Sequence, residues 1–145
     1  MRLPKEIIEM IRTPELVPDG IYELEIDSVN EGIAQNGQSY RIILNFHISR
    51  GEYETYEIKA VFTVYNPENF QSQRISRMLF RNLLLSCGVK EKQITEKFDT
   101  DILIGRKVMG HVIKGNSGDN YPEQNRISRY FAITNRNSES INSTD

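Results

Sequence analysis

Pro18-Asp19 followed by Glu57-Ile58-Lys59 has the residue types of a metal-dependent nuclease. In such a site two carboxylates hold a divalent ion that polarises a phosphate and activates water, while the lysine stabilises developing charge. Glu57 and Lys59 are two residues apart and share a face if they lie on a strand. A complete strand and its hairpin separate Asp19 from Glu57, however, and Asp19-Gly20 is already explained as a turn, so the nuclease (Asp19, Glu57, Lys59) stands behind a binding reading. His47 and His111 fall on different strands and lack a third ligand of their own. Cys87 sits on the apolar face of a helix, where a thiol packs rather than reacts. Gly115-Asn116-Ser117-Gly118 is not followed by the Gly-Lys-Ser/Thr of a phosphate-binding loop. The chain therefore reads as a non-enzyme, and no cofactor is expected.

Strand faces offer a better site. If Tyr40, Ile42, Leu44, Phe46 and Ile48 are buried, then Arg41, Ile43, Asn45 and His47 point outward. On the next strand the outward set is Lys59, Val61, Thr63 and Tyr65. Cations beside amides and an aromatic suit single-stranded nucleic acid, because the cations hold phosphates and flat groups stack on bases. The DNA-binding set is completed by Arg106 and Lys107 on the fourth strand, Lys114 and Tyr121 in the last hairpin, and Arg129 on the fifth strand. The competing reading makes Ile43, Val61 and Met109 an apolar patch of a protein-binding adaptor, with the cations incidental. Arg74, Arg77 and Arg81 recur at helical spacing and read first as a solvated helix face.

The elements that must position these residues follow from periodicity. Pro4 with Ile7, Ile8, Met10 and Ile11 predicts a short N-terminal helix that ends before Pro14. From Gly20 the period becomes two: Tyr22, Leu24 and Ile26 alternate with Glu23, Glu25 and Asp27, predicting a strand with one wet face. Asn36-Gly37 predicts a tight hairpin into a second strand from about Gln38 to Ile48. A loop at Gly51 leads to a third strand with Tyr56, Ile58, Ala60, Phe62 and Val64 inward. Past Asn66-Pro67, Ile75, Met78, Leu79, Leu83 and Cys87 share a helical face, closed by Gly88. Strands over Arg106 to Lys114 and roughly Arg126 to Ile133 follow, joined by a Gly/Asn/Ser/Asp tip. The expected fold class is all-β with one helix: an OB-fold five-stranded barrel, ordered β-β-β-α-β-β, with a short N-terminal helix and a disordered C-terminal tail. The expected boundaries are 1–16 for the helical extension, 17–134 for the OB-fold domain and 135–145 for the tail.

The chain has 145 residues, 18 basic and 20 acidic side chains, and a formal charge of −2. That excludes a broadly basic nucleic-acid-coating protein. The charge is divided, though: residues 1–66 carry 6 basic and 11 acidic side chains, a net of −5, and residues 67–145 carry 12 and 9, a net of +3. One cysteine forbids an internal disulfide, and neither a signal peptide nor a membrane span is read, so a cytoplasmic location is expected.

Several motifs together resemble a family. They are Val17-Pro18-Asp19-Gly20-x-Tyr22, the Asn36-Gly37 turn, the Gly51 loop, Leu83 to Val89 ending Cys-Gly-Val, Asp101 to Val108, and Tyr121-x-x-x-Asn125-Arg126-Ile127-x-x-Tyr130. In order and spacing, over about Val17 to Phe131, the chain is similar to small phage proteins of DNA replication and recombination modules, long labelled a domain of unknown function. The resemblance implies an OB-fold, single-stranded-DNA-binding protein of a bacteriophage, located in the host cytoplasm. Its partners would be single-stranded DNA, with RNA left open, replication or recombination proteins, a second copy of the chain, and no membrane. The matching motifs are structural and assign no DNA contacts. Bacterial single-strand-binding proteins end in an acidic tip with a terminal aromatic; here the tail after Asn135 holds Arg136, Glu139 and Asp145 and no aromatic.

Overall fold

Alternating apolar residues in three consecutive runs build a meander, and two further strands extend it on its other edge. The computed structural model describes residues 1–12, 15–33, 37–115 and 123–133. Helix α1 (Lys5–Arg12) precedes β1 (Gly20–Ile33), β2 (Tyr40–Ile48) and β3 (Glu57–Tyr65); helix α2 (Phe70–Ser86) and two short 3-10 turns (Glu91–Gln93, Thr100–Leu103) lead to β4 (Lys107–Gly115) and β5 (Gln124–Phe131). The strands form one antiparallel sheet in the order β3-β2-β1-β4-β5. The expected element order is present. The sheet, however, is open: among the described residues no ladder joins β3 to β5, although Phe62 of β3 and Tyr130 of β5 lie with ring centroids 6.1 Å apart. Among the described residues no helix is long and apolar enough to cross a membrane.

The inward residues of all five strands form one core. Leu24, Ile26, Leu44, Phe46, Ile48, Val108 and Val112 are almost fully buried, and Leu83 of α2 and Leu103 join them. Burying a side chain of this size removes roughly 1.5–3 kcal/mol of unfavourable hydration. Phe46, Phe62, Tyr130 and Phe80 make a connected aromatic cluster between the sheet and α2. Gly110 takes an inward position because nothing larger fits: a Cβ there would lie 2.6 Å from Leu24 Cδ1 and 3.1 Å from Ile127 Cγ2. Asn125 ties the entry of β1 to β5, accepting from the Val17 N–H and donating to the Val17 carbonyl, each at 2.9 Å.

Helix α2 differs from its expected orientation. Leu83, Leu84 and Cys87 are buried, with Leu79 and Phe80 packed against the core, while Ile75 and Met78 are exposed. The helix is rolled so that Phe80 and Leu84 meet the aromatic cluster, which turns Ile75 and Met78 away from it. Its end is as expected. Gly88, at φ +95°, lets the Gly88 and Val89 N–H groups return to the Leu85 and Leu84 carbonyls, the closure that favours glycine after a helix. At the expected Asn36-Gly37 turn, pairing of β1 with β2 reaches Ile33↔Tyr40 and Gly37 has φ +73°, while Asn36 lies outside the described residues. So do the tip of the last hairpin at 116–122 and the tail at 134–145.

Candidate nucleic-acid interface

Alternation on β2 is regular, so one set of side chains enters the core and Arg41, Ile43, Asn45 and His47 face outward, half-buried. Helix α2 packs on the core side against β3 and β5, which leaves this outer face open; Val61 is 46% exposed. Cross-strand register sorts the face into rows. Arg41 lies opposite Thr63, Ile43 opposite Val61, and Asn45 opposite Lys59. The side-chain amide of Asn45 also donates to Ser28 Oγ at 2.9 Å, which ties it to β1. These residues make a small platform with two cations, an amide and an apolar centre.

The next row has the opposite character. Glu57, His47, Glu25 and Lys107 are paired in succession across β3, β2, β1 and β4. Asp27 joins them through a register shift: Ile26 pairs with Phe46 and Ser28 with Asn45, leaving Asp27 as an extra residue. Such a bulge re-aims a side chain locally, and Asp27 Oδ1 meets His47 Nδ1 at 2.7 Å. His47 Nε2 lies 3.9 Å from Glu25 Oε1. Glu23, one row further, accepts from Ser49 Oγ at 2.8 Å. Glu25, Asp27 and His47 each offer one ligand atom, and these atoms all lie within 4.8 Å of one another.

The expected contact residues are therefore divided. Arg41, Asn45 and Lys59 stand together. Lys107 is exposed on the same face but at the β4 end of the acidic row, opposite Glu25. Arg129 is on β5 opposite His111, with its guanidinium carbon 4.9 Å from the Phe131 ring centroid, a cation–π contact. Tyr65 departs from its expected row. A register shift pairs Tyr40 with Tyr65 but Arg41 with Thr63, so the exposed Tyr65 stands opposite Tyr40 at the strand end rather than in the Arg41 row. Arg106 is turned away, donating to the Ile102 carbonyl at 3.0 Å and the Cys87 carbonyl at 3.1 Å. Lys114 is exposed at the end of β4, and its N–H is held by Asp19 Oδ1 at 3.0 Å. Tyr121 lies outside the described residues.

The nuclease trio is not assembled. Gly20, next to Asp19, pairs with Val112, whereas Glu57 pairs with His47 opposite Glu25; the six residues from Asp19 to Glu25 span about 20 Å of strand. Burial pushes the Cys87 thiol up, outweighing the opposing effect of Arg106, which favours its protonated form. The adaptor patch is also broken: Met109 pairs with Glu23, on the far side of the acidic row from Ile43 and Val61. Two features escape strand-face reasoning. Phe131 is signalled by the Arg129-x-Phe131 spacing, which puts both on one strand face. The Asp27 bulge has no counterpart in the wet-face pattern of Glu23, Glu25 and Asp27. No protein-family model matches this chain, and no curated protein matches it.

Proposed function

We propose that this chain binds single-stranded DNA on the outer face of β2 and β3, by backbone electrostatics and base stacking and without catalysis. The observation that carries this reading is the uncovered platform in which Lys59 faces Asn45 beside Arg41, around Ile43 and Val61. Its cations suit phosphates and its flat amide and apolar floor suit bases, a combination that tolerates sequence and is sensitive to salt. An OB-fold is the architecture we favour. Bringing β3 to β5 would close the sheet into a five-stranded barrel with α2 between the third and fourth strands, and the Phe62–Tyr130 approach supports that closure. Service in phage replication or recombination, in the host cytoplasm, follows from the resemblance of the sequence motifs.

The test is a titration of a labelled oligonucleotide of about 30 nucleotides, single-stranded and duplex DNA and single-stranded RNA in parallel, at two salt concentrations. Single-stranded DNA is expected to bind in preference to duplex, more weakly at higher salt, and the RNA arm reads whether the platform distinguishes the two single strands. Absence of binding at low salt, or affinity indifferent to salt, would overturn the proposal and leave the outer face to a protein partner.

A further inference from the structure

We propose that Glu25, Asp27 and His47 form a binding site for a divalent transition-metal ion of the zinc or manganese type. The two strands bring the groups together: β1 supplies two carboxylates and β2 the imidazole, with one candidate atom of each within 4.8 Å of the others, Glu25 and His47 serving as the ligands and Asp27 as the partner of the imidazole. The Asp27 carboxylate is an acceptor only, so its 2.7 Å contact places the imidazole proton on Nδ1. The lone pair is then on Nε2, the nitrogen 3.9 Å from Glu25 Oε1. Two donors of one zinc ion stand about 3.4 Å apart when the bonds are about 2.1 Å and the geometry tetrahedral, so a small rotation of the Glu25 side chain completes the approach. Asp27 then acts as the carboxylate that orients a metal-ligating histidine and raises its basicity.

Charge points the same way. Glu25 and Asp27 meet the imidazole, Glu57 pairs with His47 on β3 and Glu23 stands one row away, with Lys107 the cation paired opposite Glu25. Carboxylates gathered on one sheet face repel one another, and a bound dication removes that repulsion. At the β1 bulge Asp27 stands as a second carboxylate against the imidazole. The imidazole donor favours zinc and the carboxylate beside it admits manganese, whereas magnesium dehydrates reluctantly and takes all-oxygen shells.

The full chain, stripped of metal with a chelator, is titrated calorimetrically with zinc chloride, manganese chloride and magnesium chloride in separate runs. Zinc and manganese are expected to saturate one site per chain, with magnesium at least about tenfold weaker. Glu25→Gln and His47→Ala should abolish that site, Asp27→Asn should weaken it by about 10–100-fold, and His111→Ala should leave it unchanged. Circular dichroism checks that each variant is folded. Should His47→Ala fail to fold, manganese broadening of the His47 imidazole resonances in the unaltered chain supplies the same answer. No saturable zinc or manganese binding, binding that survives His47→Ala, loss of binding in His111→Ala, or magnesium binding as tight as zinc would each overturn the proposal. Because no nucleic acid is present, failure here leaves the DNA reading standing, and failure of the DNA titration leaves this site standing.

Discussion

Two neighbouring regions of one sheet face, built from the same three strands, have opposite chemistry. Toward the Arg41 end the outer rows carry Arg41, Ile43, Asn45, Lys59 and Val61; the rows beyond carry Glu23, Glu25, Asp27, His47 and Glu57. Both rest on the same buried line, Ile42, Leu44, Phe46 and Ile48. The backbone and core are common property, so the difference comes from outward residues alone. The net charge of the chain says little about either region, because a local platform and a local acidic row cancel in the sum. Nucleic acid following the platform would meet the acidic row two residues along β3, from Lys59 to Glu57. The acidic row thus limits how far along the sheet a phosphate backbone can run.

The largest expected effect strikes both regions at once. Phe46 lies between Asn45 and His47 and is fully buried, so Phe46→Ala should cost about 3–5 kcal/mol in denaturant unfolding. DNA and metal binding should be lost together; survival of one would mean that the regions do not share this foundation. Separation is the aim of the second variant. Arg41→Ala with Lys59→Ala should weaken single-stranded DNA about tenfold or more and reduce the salt slope by about 0.7 for each phosphate contact removed, with metal binding unchanged. An unaltered DNA affinity would place the contacts elsewhere.

A pH series tests the shared core. Burial pushes the Tyr130 hydroxyl well up, so the folded chain holds it neutral while the unfolded chain ionises near the ordinary value of 10.0. Its contribution is complete below that value and is lost as pH rises above it, by about 1.4 kcal/mol per pH unit. Thermal unfolding measured from pH 8 to 11.5 should show that decline, and Tyr130→Phe should reduce it; an equal decline in both proteins would show that Tyr130 is not its source. The smallest expected effect is the inverse of the second. Glu57→Gln, in the row next to Lys59, should strengthen DNA binding by about two- to fivefold at low salt, with the gain disappearing as salt screens the repulsion. A loss of affinity would make Glu57 part of the interface rather than its boundary.

Much of this was legible beforehand. Strict alternation in Ile42, Leu44, Phe46 and Ile48 admits one pairing of faces, and a slip would put Phe46 in water. Helix α2 was legible in extent and in its glycine closure, but its roll was not, because Ile75 and Met78 satisfy the same period as Leu79 and Leu83. Only contact with the aromatic cluster decides between the two orientations. The register shifts were illegible for a related reason. At Asp27 the extra residue turns Val29 toward the core, and at Val64 it sets Tyr65 opposite Tyr40 instead of in the Arg41 row; in each case the pattern breaks by one residue with no glycine or proline to announce it. Arg106 shows the remaining gap. A strand-end arginine reads as an available cation, and only the folded chain reveals two carbonyls waiting for it.

That arginine has a mechanical meaning. By joining the Ile102 carbonyl of the second 3-10 turn to the Cys87 carbonyl at the end of α2, the side chain acts as a strut between the start of β4 and the helix. Without it the helix terminus would still be closed through Gly88, but its hold on the fourth strand would be weakened. Arg106→Ala should therefore speed amide exchange at Gly88 and Val89 before it changes exchange in β1 or β2. The segment from α2 to β4 would become a hinge in a molecule whose meander stays rigid.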